Sequence, residues 1–149
     1  MAKRKGMKRS PLKKKSNSET AKLKDEIQAL LREVVMKRDG GCILRDIRHC
    51  GAILGSGAIL QADHLITRAN SATYADSRLV VCVCKGCHAW KHLGHREKEY
   101  EALIKPLIGK ERADLWNRCE QDRWRPSKHG AYEWKLAKLA LEQELKNLS

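Results

Sequence analysis

Leu23, Ile27, Leu30, Leu31, Val34 and Val35 recur at three- and four-residue spacing, between a Ser16-x-x-Glu19 capping-box signature and Asp39-Gly40-Gly41. That pattern predicts an amphipathic helix over 18–39. Its polar face mixes both charge signs, so the apolar stripe is expected to pack on a core or a partner chain, not on a membrane. From Cys42 to Val83 the pattern changes to short apolar runs separated by glycine: Ala52-Ile53-Leu54, a Gly55-Ser56-Gly57 turn, Ala58 to Leu65, and Leu79 to Val83. These predict a hairpin and a further strand. The polar, aperiodic residues 66–78 predict a loop joining two strands. Helical periodicity returns at Gly86 and runs through Tyr100, Leu103 and Ile104 to Pro106, then resumes over Glu111–Cys119 and Ala131–Leu148. Trp116, Trp124, Tyr132 and Trp134 fall in this last third, where packing between helices is the expected role and stacking on unpaired bases the other. The fold class is therefore α+β. The expected organisation is a basic tail over 1–17, a helix over 18–39, a central core over 40–100 and a helical region over 101–149.

Charge changes the picture more than length does. The 149 residues carry 31 Lys and Arg against 18 Asp and Glu, a formal net charge of +13. Lys3, Arg4, Lys5, Lys8, Arg9, Lys13, Lys14 and Lys15 stand in the first 15 residues without an acid. Such a run can neutralise phosphates without fixed structure, so these eight are candidate nucleic-acid contacts; a solubilising leader is the competing reading. No apolar stretch reaches membrane-spanning length and the basic start lacks the apolar centre of a secretory signal, so the expected compartment is a reducing cytoplasm.

In such a compartment six cysteines point to metal ligation before disulfides. Cys84-Lys85-Gly86-Cys87 is a C-x2-C pair, half of a tetrahedral site. The other half has to come from earlier in the chain, where Cys42 and Cys50 are the available cysteines and His49 can stand in for Cys50. Zinc closing 42–87 would supply on the order of 10 kcal/mol of folding free energy to a core without phenylalanine. Cys82 is expected to be a buried apolar thiol and Cys119 a lone helix cysteine.

A second set of donors follows the first. Asp63-His64 closes an apolar strand, and His88 and His92 follow the C-x2-C at i and i+4, on one face of a predicted helix. In order the chain shows a strand ending in Asp-His, a polar loop, the strand Leu79–Val83, the cysteine turn and a His-bearing helix. Through Ala62-Asp63-His64 and through Leu79 to His92 the sequence resembles the HNH endonucleases, the ββα-metal family, over roughly residues 38–95. Within that family it is most similar to the phage recombination nucleases of the NinG/Rap type, by Arg38-Asp39-Gly40-Gly41-Cys42, by Tyr100, Leu103-Ile104, Gly109 and Trp124, and by the closing 141–148 segment.

The resemblance implies a zinc-stabilised ββα-metal core flanked by helices and a hydrolase acting on DNA phosphodiesters, branched recombination intermediates first among them. His64 would be the general base, Asp63 and His88 would hold a catalytic cation, Mg²⁺ or Mn²⁺, and His92 would be a third ligand. Lys91 or Arg68 would add charge at the phosphate. The family's middle asparagine has no counterpart before Leu79, where Asp76, Ser77 and Arg78 stand. Ser77 or a backbone carbonyl would then orient the base. A duplex-nicking or restriction-type enzyme and a non-catalytic zinc-stabilised nucleic-acid-binding module are the competing functions, and pairing of the flanking helices into a homodimer is an accompanying expectation.

Overall fold

The computed structural model describes residues 19–68, 70–122 and 129–149. The basic tail with its eight candidate phosphate-binding cations, Ser16 of the capping box and Trp124 lie outside them. Helix α1 (Glu19–Asp39) buries the predicted stripe of Leu23, Ile27, Leu31, Val34 and Val35. It stops where Gly40 and Gly41 adopt positive φ of 70° and 149°. Gly41 is obligatory for a second reason: a Cβ there would come within 2.5 Å of the Ala52 carbonyl oxygen.

Strands β1 (Leu60–His64) and β2 (Val80–Cys84) form a two-stranded antiparallel sheet with Leu60 opposite Cys84 and His64 opposite Val80. Every residue of β2 is buried. The strand is apolar on both faces because α1 and helix α3 (Lys85–Leu93) both pack against it. Its outer edge is also covered: Arg38 donates to the Ser77 and Val80 carbonyls at 2.7 Å each, the Cys82 amide donates to the Asp39 carboxylate at 2.9 Å, and the Ile43 amide donates to the Cys82 carbonyl at 2.8 Å.

The expected hairpin is corrected. Ala52–Leu54 does not pair with 58–65; Ile53 makes one isolated bridge to Gly41, and Ile53 and Leu54 stay about half exposed. Glycines with positive φ at 51, 55 and 57 flank this short run and turn the chain before a strand can extend. The 66–78 loop holds two short turns: α2 (Ser71–Tyr74), capped by the Asn70 side chain, and a 3₁₀ turn (Ser77–Leu79) capped by Asp76. Segments of four and three residues are too short to show a period. The helix expected from Gly86 to Pro106 is two helices, α3 and α4 (Glu97–Ile108), separated by Gly94 and by His95 at φ 49°. Pro106 lies inside the last turn of α4, and the chain turns only at Gly109.

Helices α5 (Lys110–Asp122) and α6 (Ala131–Asn147) complete the described fold, α6 lying along α1. Trp116 and Trp134 are buried in the same core as Tyr100 and Ile104, whereas Tyr132 is 70% exposed. The architecture is α+β, mostly helical. Among the described residues no helix is long and apolar enough to cross a membrane.

Candidate metal centres and the adjoining cavity

Cys84 is the last residue of β2 and the N-cap of α3, where its sulfur accepts from the Cys87 amide at 3.3 Å. The turn that starts the helix thus places two sulfurs side by side. The loop after α1 returns Cys42 and Cys50 to the same point: the Sγ atoms of Cys42, Cys50, Cys84 and Cys87 all lie within 4.8 Å of one another. Cys50, and not His49, supplies the fourth donor. Four thiols so close, three of them buried, can hold a metal ion such as zinc. Burial pushes the Cys42 thiol well up and the Cys87 thiol up to about 11. At Cys84 burial acts in the same direction, but hydrogen bonds from the Cys87 amide and the neighbouring thiols outweigh it and leave this thiol below its ordinary value. Cys82 stands apart from the group, fully buried, and burial raises it to about 11.

Arg48 completes this centre in a way the sequence did not signal. Its guanidinium lies 4.0 Å from the centroid of the Trp90 ring, and its positive charge opposes the upward push of burial on the Cys87 thiol. A cation beside four sulfurs offsets the negative charge they acquire on binding a divalent metal.

The second set of donors lies on the other side of Cys87. His88 and His92 share one face of α3, and their Nε2 atoms are 3.1 Å apart. The Asp63 carboxylate reaches them from β1, with Oδ1 3.6 Å from His88 Nε2. One donor atom from each of the three residues falls within a common 4.8 Å. Asp63 is 6% exposed, and its other oxygen, Oδ2, accepts from Lys91 Nζ at 2.9 Å and from the Tyr100 hydroxyl at 2.5 Å. The carboxylate is therefore fixed by one oxygen and presents the other to the imidazoles. Lys91, expected to add charge at a phosphate, is bonded to Asp63 and only 12% exposed along its side chain. Burial, with the Asp63 charge beside it, holds the Tyr100 hydroxyl far above the usual phenol range, so it remains a donor. Nothing in the spacing of Tyr100 marks it; it reads as one more apolar position of α4.

His64 follows Asp63 on β1. Its Nε2 lies 3.0 Å from the Tyr74 carbonyl oxygen. A carbonyl only accepts, so Nε2 carries the proton and Nδ1 has the free lone pair. Tyr74 closes α2, where the last carbonyls of a helix have no partner within it. Burial lowers the His64 pKa, which favours the neutral ring. His64 lines a cavity of about 360 Å³ together with Gln61, Asp63, Arg68, His88, Lys91 and His92.

Ser77 is not near this arrangement through its side chain. Its hydroxyl donates to the Glu144 carboxylate of α6, at 2.7 and 2.9 Å. The candidate orienting role of Ser77 is thus corrected: the group that meets the His64 ring is the Tyr74 carbonyl, and Asn70 is used as the cap of α2. Comparison with known proteins found no matching family model, no matching curated protein and no matching solved structure.

Proposed function

We propose that this chain is a metal-dependent DNA endonuclease of the HNH type, with branched recombination intermediates as its preferred substrate. The observation that supports this best is the His64 ring, held by a main-chain carbonyl through Nε2 and lining one cavity with Asp63, His88 and His92. A carboxylate and two imidazoles form a donor set suited to a divalent cation, and the two nitrogens favour Mn²⁺ or a softer ion over Mg²⁺. Held by Asp63, His88 and His92, such a cation supplies positive charge to the phosphate and to the departing 3′ oxygen.

The chain's own residues do the rest. His64 Nδ1 accepts a proton from water as the water oxygen attacks phosphorus; the P–O3′ bond breaks and the departing oxygen takes its proton from solvent. The Tyr74 carbonyl holds the ring in the required tautomer and stabilises the imidazolium that forms. Lys91 and Tyr100 fix Asp63, and Arg68 faces the same cavity as a charge for the phosphate. Cys42, Cys50, Cys84 and Cys87 would hold a structural zinc, which would fix the start of α3 and with it the position of His88.

A non-catalytic zinc-stabilised nucleic-acid-binding module is the second reading. The Lys91–Asp63 ion pair favours it, because it neutralises the carboxylate without any cation. Four-way junction, flap and linear duplex substrates of shared sequence, incubated with Mg²⁺, Mn²⁺ or EDTA, separate the possibilities. Cleavage faster on the junction, and stopped by EDTA, is expected. Equal rates on junction and duplex would instead identify a duplex-nicking enzyme, and binding without cleavage under every cation would identify the module.

A further inference from the structure

The two edges of the sheet differ. That of β2 is covered by α1 and the chain that follows it, whereas β1 has no strand beyond it among the described residues. The Lys85 amide donates to the Ile59 carbonyl and the Leu65 amide to the Leu79 carbonyl. The alternation of an antiparallel ladder then turns the main-chain groups of Gln61 and Asp63 toward β2 and those of Leu60, Ala62 and His64 outward. Of these, the Leu60 carbonyl is met by Arg32 Nη2 at 3.3 Å.

Beside this edge lies a groove of about 460 Å³ between β1 and α1. It shares the lining residues Gln61 and Ala62 with the cavity that holds His64 and Asp63, so the two adjoin along β1. Among the described residues Arg32 is its one charged lining residue, and no acid lines it. Gln28 and Gln61 bring carboxamides, the buried Gln28 Nε2 lacks a hydrogen-bond partner, and Ile59 is 59% exposed. A guanidinium, amide donors, free main-chain groups and one apolar side chain suit a sugar-phosphate strand with its base. They suit a second peptide strand less well, since among the described lining residues Ile59 is the one large apolar side chain that stands exposed, with only the small Ala29 besides, to receive its side chains.

We propose that this groove seats the nucleotides next to the cleaved linkage, with Arg32 binding the phosphate adjacent to the one in the His64 cavity. The inference rests on the nuclease reading. It is tested by the affinity of the full chain for duplex and junction DNA over a series of KCl concentrations without added divalent cation, for wild type, Arg32→Gln and Arg32→Lys. Arg32→Gln is expected to weaken binding about tenfold and to lower the salt slope by about one, while Arg32→Lys keeps the wild-type slope. A single methylphosphonate next to the cut linkage is expected to weaken wild type and leave Arg32→Gln unaffected. If wild type binds and cuts DNA but Arg32→Gln and the methylphosphonate both change nothing, the groove proposal fails and the nuclease reading stands. If Arg32→Gln alters self-association and not DNA affinity, the edge belongs to a second copy and the proposal is overturned. A wild type that neither binds nor cuts DNA removes both. Should Arg32→Gln melt below wild type, the methylphosphonate effect on wild type and Arg32→Lys decides alone.

Discussion

A histidine accepts a proton only through a ring nitrogen that has none, and at His64 the choice of nitrogen is made by the Tyr74 carbonyl. His64→Ala is expected to reduce cleavage by about 10²–10⁴-fold, in line with the loss of a general base, while DNA affinity measured without added divalent cation stays within twofold of wild type. Loss of binding in parallel with cleavage would contradict the assignment. In the proposed nuclease Tyr100 would act through Asp63, to which its hydroxyl donates, and not on the substrate. Removing its hydroxyl in Tyr100→Phe leaves Asp63 Oδ2 to Lys91 alone, at an expected cost of about 1.5–3 kcal/mol of stability for a hydrogen bond to a charged group. The variant is also expected to bind Mn²⁺ more weakly. Thermal melting and Mn²⁺ titration read the two effects separately, and an unchanged Mn²⁺ affinity would confine Tyr100 to the core. A backbone carbonyl was the alternative to Ser77, but which one was not legible, because a main-chain acceptor has no residue signature; Tyr100 carried part of the resemblance, but its bond to Asp63 was hidden at an ordinary apolar position of α4. The pairing of Ser77 with Glu144, 67 residues away, was equally out of reach of local pattern.

At the scale of elements, the C-x2-C spacing was informative because it coincides with a strand end and a helix start, so two sulfurs have to emerge from one turn. The H-x3-H spacing worked for the same reason, since helical geometry alone puts His88 and His92 on one face. The segments that eluded pattern were those whose form depends on tertiary demands: 52–54, turned by its glycines, and 66–78, whose turns are three and four residues long. Cys84 joins the two kinds of information, ending β2 and capping α3. Cys84→Ala is expected to abolish zinc retention and to melt far below wild type, as a structural zinc worth on the order of 10 kcal/mol requires. Wild-type melting and metal content in that variant would refute a zinc centre. Arg48→Ala is expected to loosen zinc by about 10–100-fold, the usual loss when a group supporting the ligands is removed. Competition with a chromophoric chelator measures this without recourse to activity.

Across the whole molecule the coarse class, α+β with a helical last third, was visible from periodicity. The mutual packing of α1 and α6 was not, because an amphipathic stripe shows that a helix is covered without showing by what. Charge is likewise a property of the whole chain. The first 15 residues hold eight cations, and the remaining 134 hold 23 against 18 acids. If the proposed DNA substrate is held partly by that segment, deleting residues 1–15 is expected to weaken binding and lower the salt slope by about 0.9 for each phosphate that the segment no longer neutralises. Cleavage at saturating protein is expected to survive, because the donors, His64 and the β1 groove all lie beyond the deletion. An unchanged slope would assign the segment to something other than phosphate.

Cys87 and His88 are consecutive residues, one facing the sulfurs and the other the carboxylate of Asp63. Whatever reaches the thiols is therefore felt one residue later. A peroxide that couples Cys87 to another of these cysteines, releasing water, would shift the first turn of α3 and draw the His88 imidazole away from Asp63 without a single atom of the oxidant entering the neighbouring cavity.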